Sequence, residues 1–151
     1  MLPAVAAQKG CYSSGAGNRK QNQRLMKLHQ AANEGRQLFS GYGPGYVAVN
    51  NVRYERNVLV SPEDVVEWPV EDFGTLAGAD FTFVAAKRPE ILIIGTGNRQ
   101  RFLPAELSRA LAAGGAGGAG VEVMDTRAAC RTYNILVAEG RKVVAAILVE
   151  K

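Results

Sequence analysis

The chain has 151 residues, 47% of them hydrophobic and 21% charged, which suits one globular domain with a core of its own. Its net charge of +4 is unevenly placed: residues 1–30 hold five basic side chains and no acid, while residues 31–151 hold 13 basic and 14 acidic ones. The body is therefore close to neutral, which argues against nucleic acid as a partner, and no apolar run approaches the ~20 residues of a membrane-spanning helix.

Residues 1–30 read as a disordered basic extension ahead of a domain over residues 31–151. An acid-free leader bearing Arg and Ser also suits a mitochondrial transit peptide. Its apolar residues do not recur at helical spacing, however, and Met26 offers an internal start. The extension is the preferred reading, which puts the protein in the cytoplasm, with the mitochondrial matrix as the alternative. No apolar stretch of secretory type follows the early charges.

After the turn-rich entry Gly41–Gly45, Tyr46–Val49 is expected as a strand and Asn50-Asn51 as a hairpin corner, because Asn tolerates left-handed backbone angles. Val52–Val60 alternates and reads as the return strand, broken by Ser61-Pro62. Val65–Val70, with Trp68 and then Pro69, reads as a short strand ending at a sheet edge. Asp80 is expected to cap a short helix over Phe81–Ala86, closed by Lys87-Arg88. The aliphatic run Ile91–Ile94 predicts a strand buried on both faces. Pro104 and Glu106 mark the amino end of a helix through Ala113, with Leu107 and Leu111 on one face. The glycine-rich Gly114–Gly120 reads as a flexible connector. Val121–Met124 is the next strand, Thr126 caps a helix over Arg127–Ala138, Gly140 closes it, and Val143–Val149 is the last strand. Strands alternating with single helices predict crossover connections and a largely parallel sheet.

The polar residues gather where strands end, the place at which open α/β sheets bind ligands. Gly95-Thr96-Gly97 follows a buried strand, and its backbone N–H groups could cradle an anion that Arg99 and Arg101 would neutralise. The pair is also what a tight strand-to-helix turn requires, and that reading is preferred. No cofactor is indicated. The dinucleotide pattern needs glycine where Gln100 stands, and the Walker pattern lacks its Gly-Lys-Ser/Thr. Asp125 and Thr126 could hook a ligand, although capping the following helix explains both. Cys130, flanked by Arg127 and Arg131, could be an activated thiol; a packed thiol is the preferred reading. His29 is the only histidine and lies in the extension, so catalytic triads, Cys-His pairs and imidazole-rich zinc sites are disfavoured. Cys11 and Cys130 show no spacing pattern, which suits a reducing compartment.

The strings PEILIIGTG (Pro89–Gly97), FLPAEL (Phe102–Leu107) and VEVMDTRAACRTYN (Val121–Asn134), with GYGPGYVAVNNVRY (Gly41–Tyr54) and Trp68, resemble the Mth-type domain family over roughly residues 36–149. The basic extension and the long glycine spacer fall outside that resemblance. It implies a compact mixed α/β domain, with a hairpin in the first half, βαβ units in the second and one strand running against the others. The family includes a mitochondrial assembly factor for respiratory complex I and a cytosolic relative linked to fat-cell differentiation, and implies no established catalytic activity. Two expectations follow. The preferred one is a non-enzymatic assembly or interaction module with a protein partner, offering an exposed apolar patch around Trp68, Phe73 and Phe81. The alternative is an anion- or nucleotide-binding protein, with or without catalysis, using Gly95, Thr96, Gly97, Arg99, Arg101, Asp125, Thr126, Cys130 and Arg131.

Overall fold

A computed structural model describes residues 35–150. The expectations for residues 1–30 lie outside the described residues. The described chain begins with a three-stranded antiparallel meander, β1 (Phe39–Gly43), β2 (Tyr46–Val49) and β3 (Val52–Tyr54). Asn50 and Asn51 form the β2–β3 corner with φ of 49° and 68°, the left-handed pair that a two-residue hairpin needs. A five-stranded sheet follows, built from β4 (Val58–Val60), β5 (Val65–Glu67), β6 (Ile91–Gly95), β7 (Gly120–Met124) and β8 (Val143–Ile147). Its order is β5-β4-β8-β6-β7. Pairs β6–β7 and β6–β8 are parallel, whereas β4 is antiparallel to both its neighbours. One strand thus opposes four, as the family resemblance implied.

Alternation along the buried strands divides the core in two. Val58, Val60, Ile93, Val143, Ala145 and Ile147 face a cluster completed by the meander and by helix α3 (Thr126–Ala138). Leu59, Leu92, Ile94, Val144 and Ala146 face the other, completed by α1 (Thr82–Lys87) and α2 (Ala105–Ala110). Trp68 and Phe81 lie in this second cluster, 2% and 0% exposed, with ring centroids 5.5 Å apart and the indole N–H donating to the Asp80 carbonyl at 2.9 Å. The apolar patch expected around them is therefore core; only Phe73 of the three is half-buried. The exposed large apolar side chains among the described residues are Val52, Phe102 and Ile135.

Several local expectations need correcting. Val52–Val60 is not one strand: β3 and β4 belong to different sheets, and the chain breaks at Asn57. Asn57 is buried, and its amide donates to the Val70 carbonyl (2.8 Å) and accepts from the Val149 N–H (2.7 Å), while its backbone carbonyl accepts from Trp68 N–H (2.8 Å). Polar duties of that kind require an irregular backbone, which strand periodicity cannot reveal. Asp80 is not a helix cap in the expected sense; its carboxylate accepts the Ala77 N–H at 2.9 Å, in the 3₁₀ turn Gly78–Phe81 ahead of α1. The glycine-rich segment is no free connector either. After α2 a wide turn over Leu111–Gly115 leads to Ala116, which is fully buried, and a Cβ on Gly117 (φ +68°) would meet the Ala85 carbonyl oxygen at 2.8 Å. Its glycines permit close packing against α1.

Asn57→Ala would leave a carbonyl and an N–H without partners in a poorly hydrated place, so it is expected to lower unfolding free energy by about 2–4 kcal/mol. Urea unfolding of the wild type and variant measures this.

Candidate functional site

The carboxyl ends of β6, β7 and β8 meet the first turn of α3. Thr126 ties them together: its hydroxyl donates to the Leu148 carbonyl (2.7 Å) and accepts the Gly97 N–H (3.0 Å), and its own N–H donates to the Gly97 carbonyl (2.9 Å). Thr96, wholly buried, staples the next stretch of loop. Its hydroxyl donates to the Arg99 carbonyl (2.7 Å) and accepts the Arg101 N–H (3.2 Å), and its N–H bonds to the Met124 carbonyl (2.9 Å). Gly95 has a packing role, since a Cβ there would crowd Ile147, Thr126 and Ala129 at 2.9–3.2 Å.

An anion does sit in this loop, and it belongs to the chain. The Glu150 carboxylate accepts the Asn98 N–H at 2.8 Å and pairs with the Arg101 guanidinium. Gly97, at φ +99°, makes room for it: a Cβ there would lie 2.2 Å from the carboxylate oxygen. The Asn98 N–H, followed by Arg101, holds the Glu150 carboxyl below the usual carboxylate range. The Arg101 guanidinium also lies 5.5 Å from the Phe73 ring centre, and its buried Nε finds no hydrogen-bond partner among the described residues. The hollow shared by Tyr42, Tyr46, Gly97, Arg127 and Glu150 measures about 20 Å³, room for a water molecule and too little for an organic ligand.

The remaining predicted residues divide. Asp125 is the N-cap of α3, its carboxylate accepting the Ala128 N–H at 3.0 Å, and Thr126 is the first helical residue instead of the cap. Cys130 is 1% exposed; burial pushes its thiol up to about 12, outweighing the opposite pull of Arg131, so the thiolate of an activated nucleophile is disfavoured. Arg131 is exposed and donates to the Tyr42 hydroxyl at 2.9 Å. Arg99 is exposed, and its side chain does not share the Glu150 carboxylate with Arg101 by any hydrogen bond. The structure therefore brings Gly97, Arg101 and Thr126 together around the strand ends and leaves Arg99 and Arg131 outward.

Glu150, Asn98 and Tyr42 were not among the predicted residues. Glu150 lies 49 positions beyond Arg101, and no local pattern joins them; the one signal was a loop with basic residues and no acid of its own. A second hollow, about 460 Å³, also escaped prediction. It lies at the amino ends of β6 and β8, between Arg36, Ser61, Glu63, Lys87 and Lys142. Its cations are largely matched: Lys87 pairs with Asp64 and lies 3.6 Å from Glu63, and Arg141 bonds Glu90 at 2.7 Å.

The Glu150 seat makes stability pH-dependent with a fixed sign. A carboxyl held below its ordinary value near 4.5 adds stability above that pH, and the gain fades as pH falls through the lowered value. Glu150→Gln is expected to melt lower than wild type at pH 7, with the gap closing below about pH 4. Thermal melts across pH 3–7 test this.

Comparison with known proteins accords with the architecture. Residues 39–148 match the family model "Protein of unknown function (DUF498/DUF598)". A crystal structure from Bordetella parapertussis is 44% identical, covers 76% of this chain and 97% of its own, and superposes with a TM-score of 0.70. A solution structure from Bordetella pertussis, described as a Mth938-like domain, is 36% identical over 80% of this chain and 88% of its own, with a TM-score of 0.65. Bovine NADH dehydrogenase [ubiquinone] 1 alpha subcomplex assembly factor 3 is 35% identical over 69% of this chain, which spans only 55% of that protein's length. With the family model covering most of the chain, and these folds matching it, the chain belongs to the DUF498/Mth938-like domain family.

Proposed function

We propose that this chain is a non-enzymatic docking module that helps a multisubunit protein complex assemble, with an NADH dehydrogenase as the complex concerned. The kinship with the bovine assembly factor, 35% over 106 residues, carries the reading. The strand-end geometry supports it: Thr96, Asp125, Thr126 and Arg101 bond to neighbours within the chain, and the hollow beside them holds about 20 Å³. Residues 1–30 are then an appendage to a domain over 31–151, and their lack of helical spacing favours the cytoplasm over the mitochondrial matrix. No helix among the described residues is long and apolar enough to cross a membrane.

Deleting the gene in its native cell is expected to reduce assembled NADH dehydrogenase at least severalfold while its subunits are still made, with recovery on re-expression. Native gels stained for NADH oxidation read this. An undiminished complex would sink the proposal.

One observation favours a second reading, a small-anion site. The Asn98 N–H and Arg101 already hold a carboxylate, and Arg101 Nε has no partner among the described residues. With Glu150→Ala removing the resident carboxylate, phosphate or acetate is expected to raise the melting temperature of the variant and leave wild type unmoved. Equal, null shifts in both proteins would leave Glu150 with a purely internal role.

A further inference from the structure

Phe102 is 86% exposed, immediately ahead of α2. A Phe standing in water forgoes the burial that its ring would gain against a partner. Beside it, α2 and the wide turn after it carry a face of small side chains outward. Leu107 and Leu111 are buried, while Ala105, Ala110, Ala112 and Ala113 are exposed. Between the flank of α2 at Leu107 and Ala110 and the segment Leu76–Gly78 runs a hollow of about 570 Å³. Gly78 closes one wall, its Cβ position only 3.4 Å from the Ala110 methyl. The same face carries Glu106 and Arg109, both exposed and neither in an ion pair among the described residues.

This face therefore holds both members of each complementary set: a bulky apolar side chain and a lining of small ones, an acid and a base. We propose that its occupant is a second copy of this chain, paired through antiparallel α2 helices about a two-fold axis passing between residues 107 and 108. Under that symmetry Glu106 of each copy opposes Arg109 of the other, and Ala105 opposes Ala110, so methyl groups meet where the helices approach most closely. Phe102, three positions ahead of one helix, comes over Ala110 at the carboxyl end of the other and Ala113 in the turn beyond it, closing the end of the hollow. An isologous contact satisfies every one of these groups twice, whereas a different protein would have to reproduce the pattern by chance. Arg101, which pairs with Glu150, directly precedes Phe102, so this face adjoins the strand-end loop.

Sedimentation equilibrium of the full chain tests the pairing. Wild type is expected to show a reversible monomer–dimer equilibrium, and Phe102→Ser to be monomeric at the same concentrations with unchanged far-ultraviolet circular dichroism. Glu106→Arg or Arg109→Glu alone places like charges together and is expected to weaken pairing at least about tenfold. The double variant Glu106→Arg/Arg109→Glu restores opposite charges at both crossings and is expected to dimerise like wild type. A wild type monomeric at all concentrations, a dimer indifferent to Phe102→Ser, or a double variant no better than the singles would each overturn the proposal.

Discussion

The Thr126 hydroxyl is the contact on which the strand-end face of this domain depends. It lies where a helix start, a loop leaving β6 and the end of β8 converge, and it bonds to two of them at once as donor and acceptor. Parallel strands connected through helices end with their carbonyls aimed into loops, and those groups need partners. One hydroxyl serving both neighbours lets the β6 loop and the continuation of β8 run side by side. That adjacency in turn carries Glu150 to the Asn98 N–H. Remove the hydroxyl and the loop keeps its backbone bond from the Thr126 N–H to Gly97 but loses its link to the end of β8.

What the chain declares openly is its parallel half. Ile91–Ile94 became a strand and Arg127–Ala138 lies within a helix, as expected, while the helix expected through Ala113 ends at Ala110 and leaves Leu111 in the wide turn, still buried. The antiparallel half was harder. Between Val52 and Val60 the alternation is nearly unbroken, yet the backbone leaves one sheet and enters another at Asn57. The reason lies in three hydrogen bonds to residues 11 to 92 positions away, and no local pattern encodes them. Trp68 and Phe81 misled in a similar manner. Aromatic residues in a short edge segment look available for a partner, but here the 3₁₀ turn folds Asp80 under the indole and turns the pair inward.

The strand-end cluster illustrates a related limit. Sequence reads Gly95–Gly97 first as a tight turn and second as a seat for an anion, and in the structure the chain's own Glu150 carboxylate lies against the Asn98 N–H and Arg101. Whether the anion comes from solution or from the chain depends on where residue 150 falls, which is a property of the whole fold. Kinship with an assembly factor and a strand end filled from within are compatible with each other. A domain whose loops are braced by its own carboxylate presents a fixed surface, and fixed surfaces lose less entropy when a partner binds.

The strand that runs against its neighbours has a consequence for how the domain comes apart. β4 is bordered by β5 and β8, and the Asn57 amide just before it grips both Val70, beyond β5, and Val149, beyond β8. Opening the sheet from its short edge therefore strains bonds to the strand at its centre. Fraying at β5 is expected to be felt at the end of β8, so that the short edge and the centre of this sheet open together.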